Sequence, residues 1–148
     1  MKRRTFISAV GSMAALSACG GGDATTVTPF IAGTGPSSSQ SPYLTPISSA
    51  VQFGSILTTG DAVGTYRLGG IPDGLGAYDN GNGSFTLLVG HELGGAVGVA
   101  RAHGSIGAYV SEWVIDKSSF AVKSGSDLMR NVFTFNAGTS AWDAATVV

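Results

Sequence analysis

His91-Glu92 sets an imidazole and a carboxylate side by side, between an apolar run and a Gly-rich loop spanning Leu93 to Gly107. A carboxylate where a strand gives way to a loop can bind a hard cation or act as a general base. It can equally be a surface charge, or one half of a polar pair bracing the loop. The pair is not a zinc-protease motif, which needs a second His four positions on, where Gly95 stands. Glu92 is one of two glutamates; the other, Glu112, falls inside an alternating run where an outward-facing charge explains it. Asp73 lies in Gly70-Ile71-Pro72-Asp73-Gly74, and either coordinates a metal or builds a Pro-Asp-Gly turn. Arg101-Ala102-His103-Gly104 brings a guanidinium, the natural fork for phosphate or carboxylate, close to a second imidazole. The alternative there is a loop held by its own hydrogen bonds. Glu92 is therefore the leading candidate to touch metal or substrate, with Asp73, His91, Arg101 and His103 as further members.

Other patterns fail on inspection. Asp79-Asn80-Gly81-Asn82-Gly83 suggests a calcium loop, but Gly81 stands where an oxygen ligand is needed and Gly90 where the closing Glu belongs. Gly94-Gly95-Ala96-Val97-Gly98 lacks the Gly-Lys-Ser/Thr end of a phosphate loop. No serine sits in a nucleophile elbow.

The elements that would position these groups are short strands. Val51 to Leu57 and Thr65-Tyr66-Arg67-Leu68 are candidates. Leu75 to Tyr78 leads into the Asp79–Gly83 turn and Phe85 to Val89 leads out, because Asn-Gly steps supply the positive φ of tight hairpins. Tyr109 to Asp116 is strongly β-prone, turns at Asp116-Lys117-Ser118-Ser119, and continues into Phe120-Ala121-Val122. Val132 to Phe135 is a last apolar patch, and Trp113 and Trp142 read as packing residues. No stretch carries a helical period. The expected class is all-β: an antiparallel meander, the first blade or blades of a β-propeller or part of a sandwich.

Composition agrees. Charged residues make up 11% of the 148, and 23 are Gly, which argues against helical bundles and for strands with Gly-rich turns. Lys2, Arg3 and Arg4 form a positive n-region, and Phe6 to Leu16 is a short apolar core, too brief to span a bilayer. Residues 1–18 thus read as a signal peptide. Arg3-Arg4-Thr5-Phe6-Ile7 is similar to the twin-arginine export motif; an ordinary Sec signal containing Arg-Arg is the alternative. Without the three n-region bases, five basic residues face nine acidic ones, so no basic patch remains for nucleic acid.

Leu16-Ser17-Ala18-Cys19 is similar to a bacterial lipobox. Cys19 is the only cysteine, so it cannot form an internal disulfide, and lipidation is its economical role. Gly20 rather than Asp after it favours the outer membrane. The expected location is an exported outer-membrane or cell-surface lipoprotein, anchored to the membrane through Cys19. Residues 19–50, rich in Gly, Ser, Thr and Pro, read as a flexible tether. Within it Tyr43 and Leu44 are apolar enough to dock on the folded part. Residues 51–148 then read as a partial propeller-like domain, the amino-terminal part of a longer protein; a complete small β domain is the alternative.

Four segments carry a family resemblance: Ile71 to Tyr78, Leu87 to Leu93, Arg101 to Gly104, and Gly107 to Trp113. Together they resemble the start of secreted PhoX-like bacterial proteins, which include PhoX-type alkaline phosphatases and phytase-like propellers. Gly90 stands where that family carries the Asn of an Asn-His-Glu. The resemblance spans roughly Gly70 to Asp127. It implies a β-propeller, calcium and iron as cofactors, a phosphoester substrate, and Glu92 with Asp73 as the ligands this chain supplies. Two functions follow: a metal-dependent phosphatase of the cell envelope, or a non-catalytic lipid-anchored propeller that binds a surface ligand or cation.

Overall fold

The computed structural model describes residues 32–145, and among these there are strands and no helix. The signal peptide, the twin-arginine pattern and Cys19 lie outside the described residues. The body is a four-stranded antiparallel meander: β5 (Pro72–Asp79), β6 (Ser84–His91), β7 (Tyr109–Asp116) and β8 (Val122–Asp127), in that spatial order. Leu75 pairs with Val89 and Asp79 with Phe85, the hairpin register that the Asp79–Gly83 turn demands. Gly81 and Gly83 hold φ of 74° and 78°, which L side chains resist. The turn closes through Asn80 N–H to Ser84 O at 3.1 Å, and the Asp79 carboxylate accepts the Gly81 N–H at 2.8 Å.

In β7, Tyr109, Ser111, Trp113 and Ile115 are buried while Val110, Glu112, Val114 and Asp116 are half-buried, the period-two alternation of a sheet with one covered face. Glu112 is on the opposite face from Trp113, as the alternation predicts. Cross-strand partners share a face, so Phe85, Leu87, Val89 and His91 of β6 stand beside Ile115, Trp113, Ser111 and Tyr109. This face is apolar at one end and polar at the other. Leu68, Val89, Trp113, Ile115 and Val122 form the core, with Ile56, Leu57, Val63 and Tyr66 packed over it. Its cover comes partly from a small hairpin of β3 (Ala62–Val63) and β4 (Tyr66–Arg67). Gly125 of β8 leaves room for the Trp113 ring.

Several elements differ from their sequence expectation. The run Val51–Leu57 yields only β2 (Gly54–Ser55), paired in parallel with β1 (Gly33–Thr34), because Ile56 and Leu57 turn onto the core instead of extending a ladder. The stretch read as tether is tied down where it is described before Ser41. There the Val122 N–H donates to Ser37 Oγ at 2.9 Å and the Ser39 N–H to the Asp61 carboxylate at 3.0 Å. Tyr43, Leu44 and Ile47 remain exposed and do not dock. The last strand of the sheet begins at Val122 and continues through the polar Lys123–Asp127, while Phe120 holds a positive φ of 57° in the turn. The patch at 132–135 becomes β9 (Phe133–Asn136), paired with β10 (Ala141–Ala144). All eight residues of that hairpin are exposed. Trp142 packs edge-on against Phe135 at 5.4 Å but stays 68% exposed, unlike Trp113, which is fully buried.

Candidate functional site

The polar end of the covered face is built around His91, the last residue of β6 and 2% exposed. Its Nε2 lies 2.8 Å from Ser111 Oγ, and its Nδ1 3.3 Å from Gly70 O. The Trp113 indole N–H also donates to Ser111 Oγ, at 2.8 Å. Indole can only donate, so the Ser111 hydroxyl is free to donate to His91 Nε2, and Nδ1–H then donates to the Gly70 carbonyl. That assignment leaves each of these groups satisfied and the imidazole neutral. Burial pushes the His91 pKa below its ordinary 6.5, with the nearby Arg101 charge acting the same way and the Gly70 hydrogen bond opposing them. The Ser111–His91 spacing is that of a nucleophile and its base. Ser111 is nevertheless fully buried and holds the Trp113 N–H, so the pair is a brace of the sheet and not an attacking dyad.

Tyr109, opposite His91 in the ladder, stacks on it with centroids 4.1 Å apart and planes 5° from parallel. The Arg101 guanidinium carbon sits 3.5 Å from the Tyr109 centroid. Two groups this close to one ring cannot share a face, so Tyr109 is sandwiched between Arg101 and His91. Arg101 also pairs with Asp127 at 3.6 Å, both side chains about nine-tenths buried. Asp127 accepts the Tyr66 hydroxyl and, at 2.7 Å, the Ala102 N–H. Burial first, and then Asp127, push the Tyr66 phenol far above its ordinary range; burial also raises that of Tyr109.

Asp73 and Glu92 lie on the other side of this stack. A one-residue bulge between Pro72 and Leu75 re-aims the start of β5 at Asp73 and Gly74. Ile71 just before it holds a positive φ of 49°, and its carbonyl accepts the Glu92 N–H at 3.0 Å. Asp73, His91 and Glu92 thereby line one shallow cavity of about 260 Å³, with Tyr109 and Met129 on its wall. Both carboxylates are exposed. A Cβ at Gly90 would meet Gly74 at an ordinary 3.6 Å, so the glycine there is not sterically required.

The five sequence candidates thus separate. Asp73 and Glu92 share a cavity, His91 lies beneath it as a satisfied core histidine, and Arg101 is across Tyr109. His103 turns back into its own loop, where Nδ1 accepts the Ser105 N–H at 3.3 Å. Its Nε2 is buried without a partner.

No protein-family model, curated protein or solved structure matches the chain.

The calcium and iron implied by the PhoX-like resemblance find an incomplete donor set here. Calcium takes about six to eight oxygens. Among the described residues no three His, Cys, Asp or Glu side chains converge. Both ring nitrogens of His91 are committed, which leaves two carboxylates. Sequence reasoning missed Ser111, Tyr109, Asp127 and Tyr66, which organise the polar end. The alternation in β7 puts Tyr109 and Ser111 on the Trp113 face, and that was the readable signal. The pairing of Asp127 with Arg101 depends on how the long loop returns over β8, which no local pattern encodes.

Proposed function

We propose that this chain is part of a cell-envelope phosphoesterase of the PhoX-like kind. In it, Asp73 and Glu92 supply two ligands of one hard divalent cation and the remaining oxygens come from outside the described residues. The observation that carries the reading is that Asp73 of β5 and Glu92, just past the end of β6, line the same open cavity at one end of the sheet. The cation would neutralise phosphate oxygens. The chain's own residues set its geometry: the bulge at Asp73, the Ile71–Glu92 backbone bond, and the neutral His91 wedged beneath. The four-stranded meander is the unit from which a propeller is assembled, and the domain is proposed as a blade of one. Export, with a lipid anchor on Cys19, belongs to the same proposal. The test is hydrolysis of p-nitrophenyl phosphate by the full-length protein. Activity should vanish with a chelator and return with calcium. Hydrolysis indifferent to chelator, or none under any metal, would reject the reading.

The second reading is a non-catalytic, lipid-anchored β domain that binds a cation or surface ligand. It is favoured by the engagement of both His91 nitrogens and by the burial of Ser111, which take the histidine and serine nearest the Asp73–Glu92 cavity out of acid–base and nucleophilic roles. Calcium binding without hydrolysis is its signature.

A further inference from the structure

A second cavity, of about 530 Å³, opens on the other side of Tyr109. Its polar wall carries Arg101, Arg67 and Asp127, and its apolar wall carries Leu93, Val97 and Val99. Arg101 is held rigidly there. Its side chain is about nine-tenths buried and stacked on Tyr109, and its contact with Asp127 is 3.6 Å, beyond hydrogen-bond reach. Its Nε is buried without a partner. A buried guanidinium with a donor left unused is costly unless something uses it. Asp127 does not fill that role, because it faces Nη1 at 3.6 Å and leaves Nε without a partner. Arg67 donates to the Gly60 carbonyl and adds a second positive charge at the rim. Among the residues lining the cavity two arginines face one carboxylate, with Asp61 near Arg67 but outside the lining. Val97 and Val99 are 53% and 64% exposed, apolar surface facing a charged pocket.

We propose that this cavity binds a small organic oxyanion, a carboxylate or phosphate monoester on an apolar body. The oxyanion meets the Arg101 fork, and the body lies against Leu93, Val97 and Val99. The guanidinium suits either headgroup because its planar donors match paired oxygens. The site is distinct from the Asp73–Glu92 cavity, since Tyr109 stands between Arg101 and His91. The inference therefore stands whether or not the phosphoesterase reading does.

Titration calorimetry of the full chain, with a chelator present to silence any cation site, tests this with benzoate, phenyl phosphate and inorganic phosphate as probes. Benzoate and phenyl phosphate should bind more tightly than inorganic phosphate, which has no apolar body. Preference for phenyl phosphate over benzoate would assign the headgroup as phosphate, and the reverse as carboxylate. Arg101→Gln should abolish binding, and Arg101→Lys should weaken it at least tenfold. Removing Arg101 leaves Asp127 unpaired and can unfold the chain, so Val99 supplies a second arm. Val99→Asp, at an exposed position on the rim, should weaken binding at least tenfold with an unchanged melting temperature, and Val99→Lys should strengthen it. Equal affinity in wild type, Val99→Asp and Val99→Lys, or no saturable binding of either aromatic probe at millimolar concentration, would overturn the proposal.

Discussion

Gly125→Ala adds one methyl group at the point where β8 crosses the fully buried Trp113. The new Cβ would stand 2.7 Å from Tyr66 Cδ1 and closer still to the Trp113 ring carbons. Carbon atoms rest about 3.5–4.0 Å apart, so either the indole or β8 must move. The indole cannot tilt freely: it is 0% exposed, its N–H is bonded to Ser111, and Tyr66 packs against it at a tilt with centroids 5.2 Å apart. Overpacking of this kind costs about 1–3 kcal/mol, against a gain of about 0.4–1 kcal/mol from a stiffer unfolded chain. A net loss of about 1–2 kcal/mol is expected. With a urea slope of about 1–3 kcal/mol/M, the midpoint should fall by about 0.3–2 M. Tryptophan fluorescence follows the transition, and Trp113 should report a changed environment in the folded baseline. Gly76→Ala is the control, since its Cβ would meet nothing within 4 Å on the exposed edge strand. That change should leave the midpoint unchanged or raise it slightly, through the same stiffening of the unfolded chain. If Gly125→Ala matches Gly76→Ala, the packing of Trp113 under β8 is wrong, and so is the chain of contacts from Trp113 through Ser111 to His91.

Other outcomes follow from the same contacts. Ser111→Ala leaves the Trp113 N–H and His91 Nε2 buried without partners, and should cost about 2–4 kcal/mol in urea unfolding. Because burial lowers the folded His91 pKa, the stability it contributes is fully present above the ordinary 6.5 and is lost as pH falls from there toward the folded value. The slope of stability against pH in that window should flatten in His91→Gln. Independently of these contacts, the proposed lipid anchor on Cys19 requires that Cys19→Ala release the protein from the membrane fraction; a variant that still pellets with membranes would remove the anchor.

How much of this was legible depends on range. The Asp79–Gly83 hairpin was readable because Asn-Gly chemistry and flanking alternation act within ten residues. The alternation of Tyr109–Asp116 likewise located the face that carries Trp113. Of the covering segments, β2 and β4 fall within the expected strands Val51–Leu57 and Thr65–Leu68, but their partners were not readable. Gly33–Thr34 pairs with Gly54–Ser55 twenty-one residues away, and Gly33–Thr34 has no local strand signal. The extension of the last strand to Asp127 was hidden by its polar residues, which an edge position tolerates. In the candidate site, the chemistry of Asp73 and Glu92 was visible but not their shared cavity, which depends on a bulge. His91 looked like a ligand by type. Only the positions of Gly70, Ser111 and Tyr109 around it make it a core residue.

The most direct test of the central claim is a double-mutant cycle on calcium binding by the full-length protein, with Asp73→Asn, Glu92→Gln and the pair. If both carboxylates hold one ion, each single variant should weaken calcium binding at least tenfold, about 1.4 kcal/mol or more. The double variant should then fall short of the summed losses, because the second ligand has little left to hold. Wild-type calcium affinity in Glu92→Gln, or strictly additive losses in the pair, would contradict a shared cation at Asp73 and Glu92.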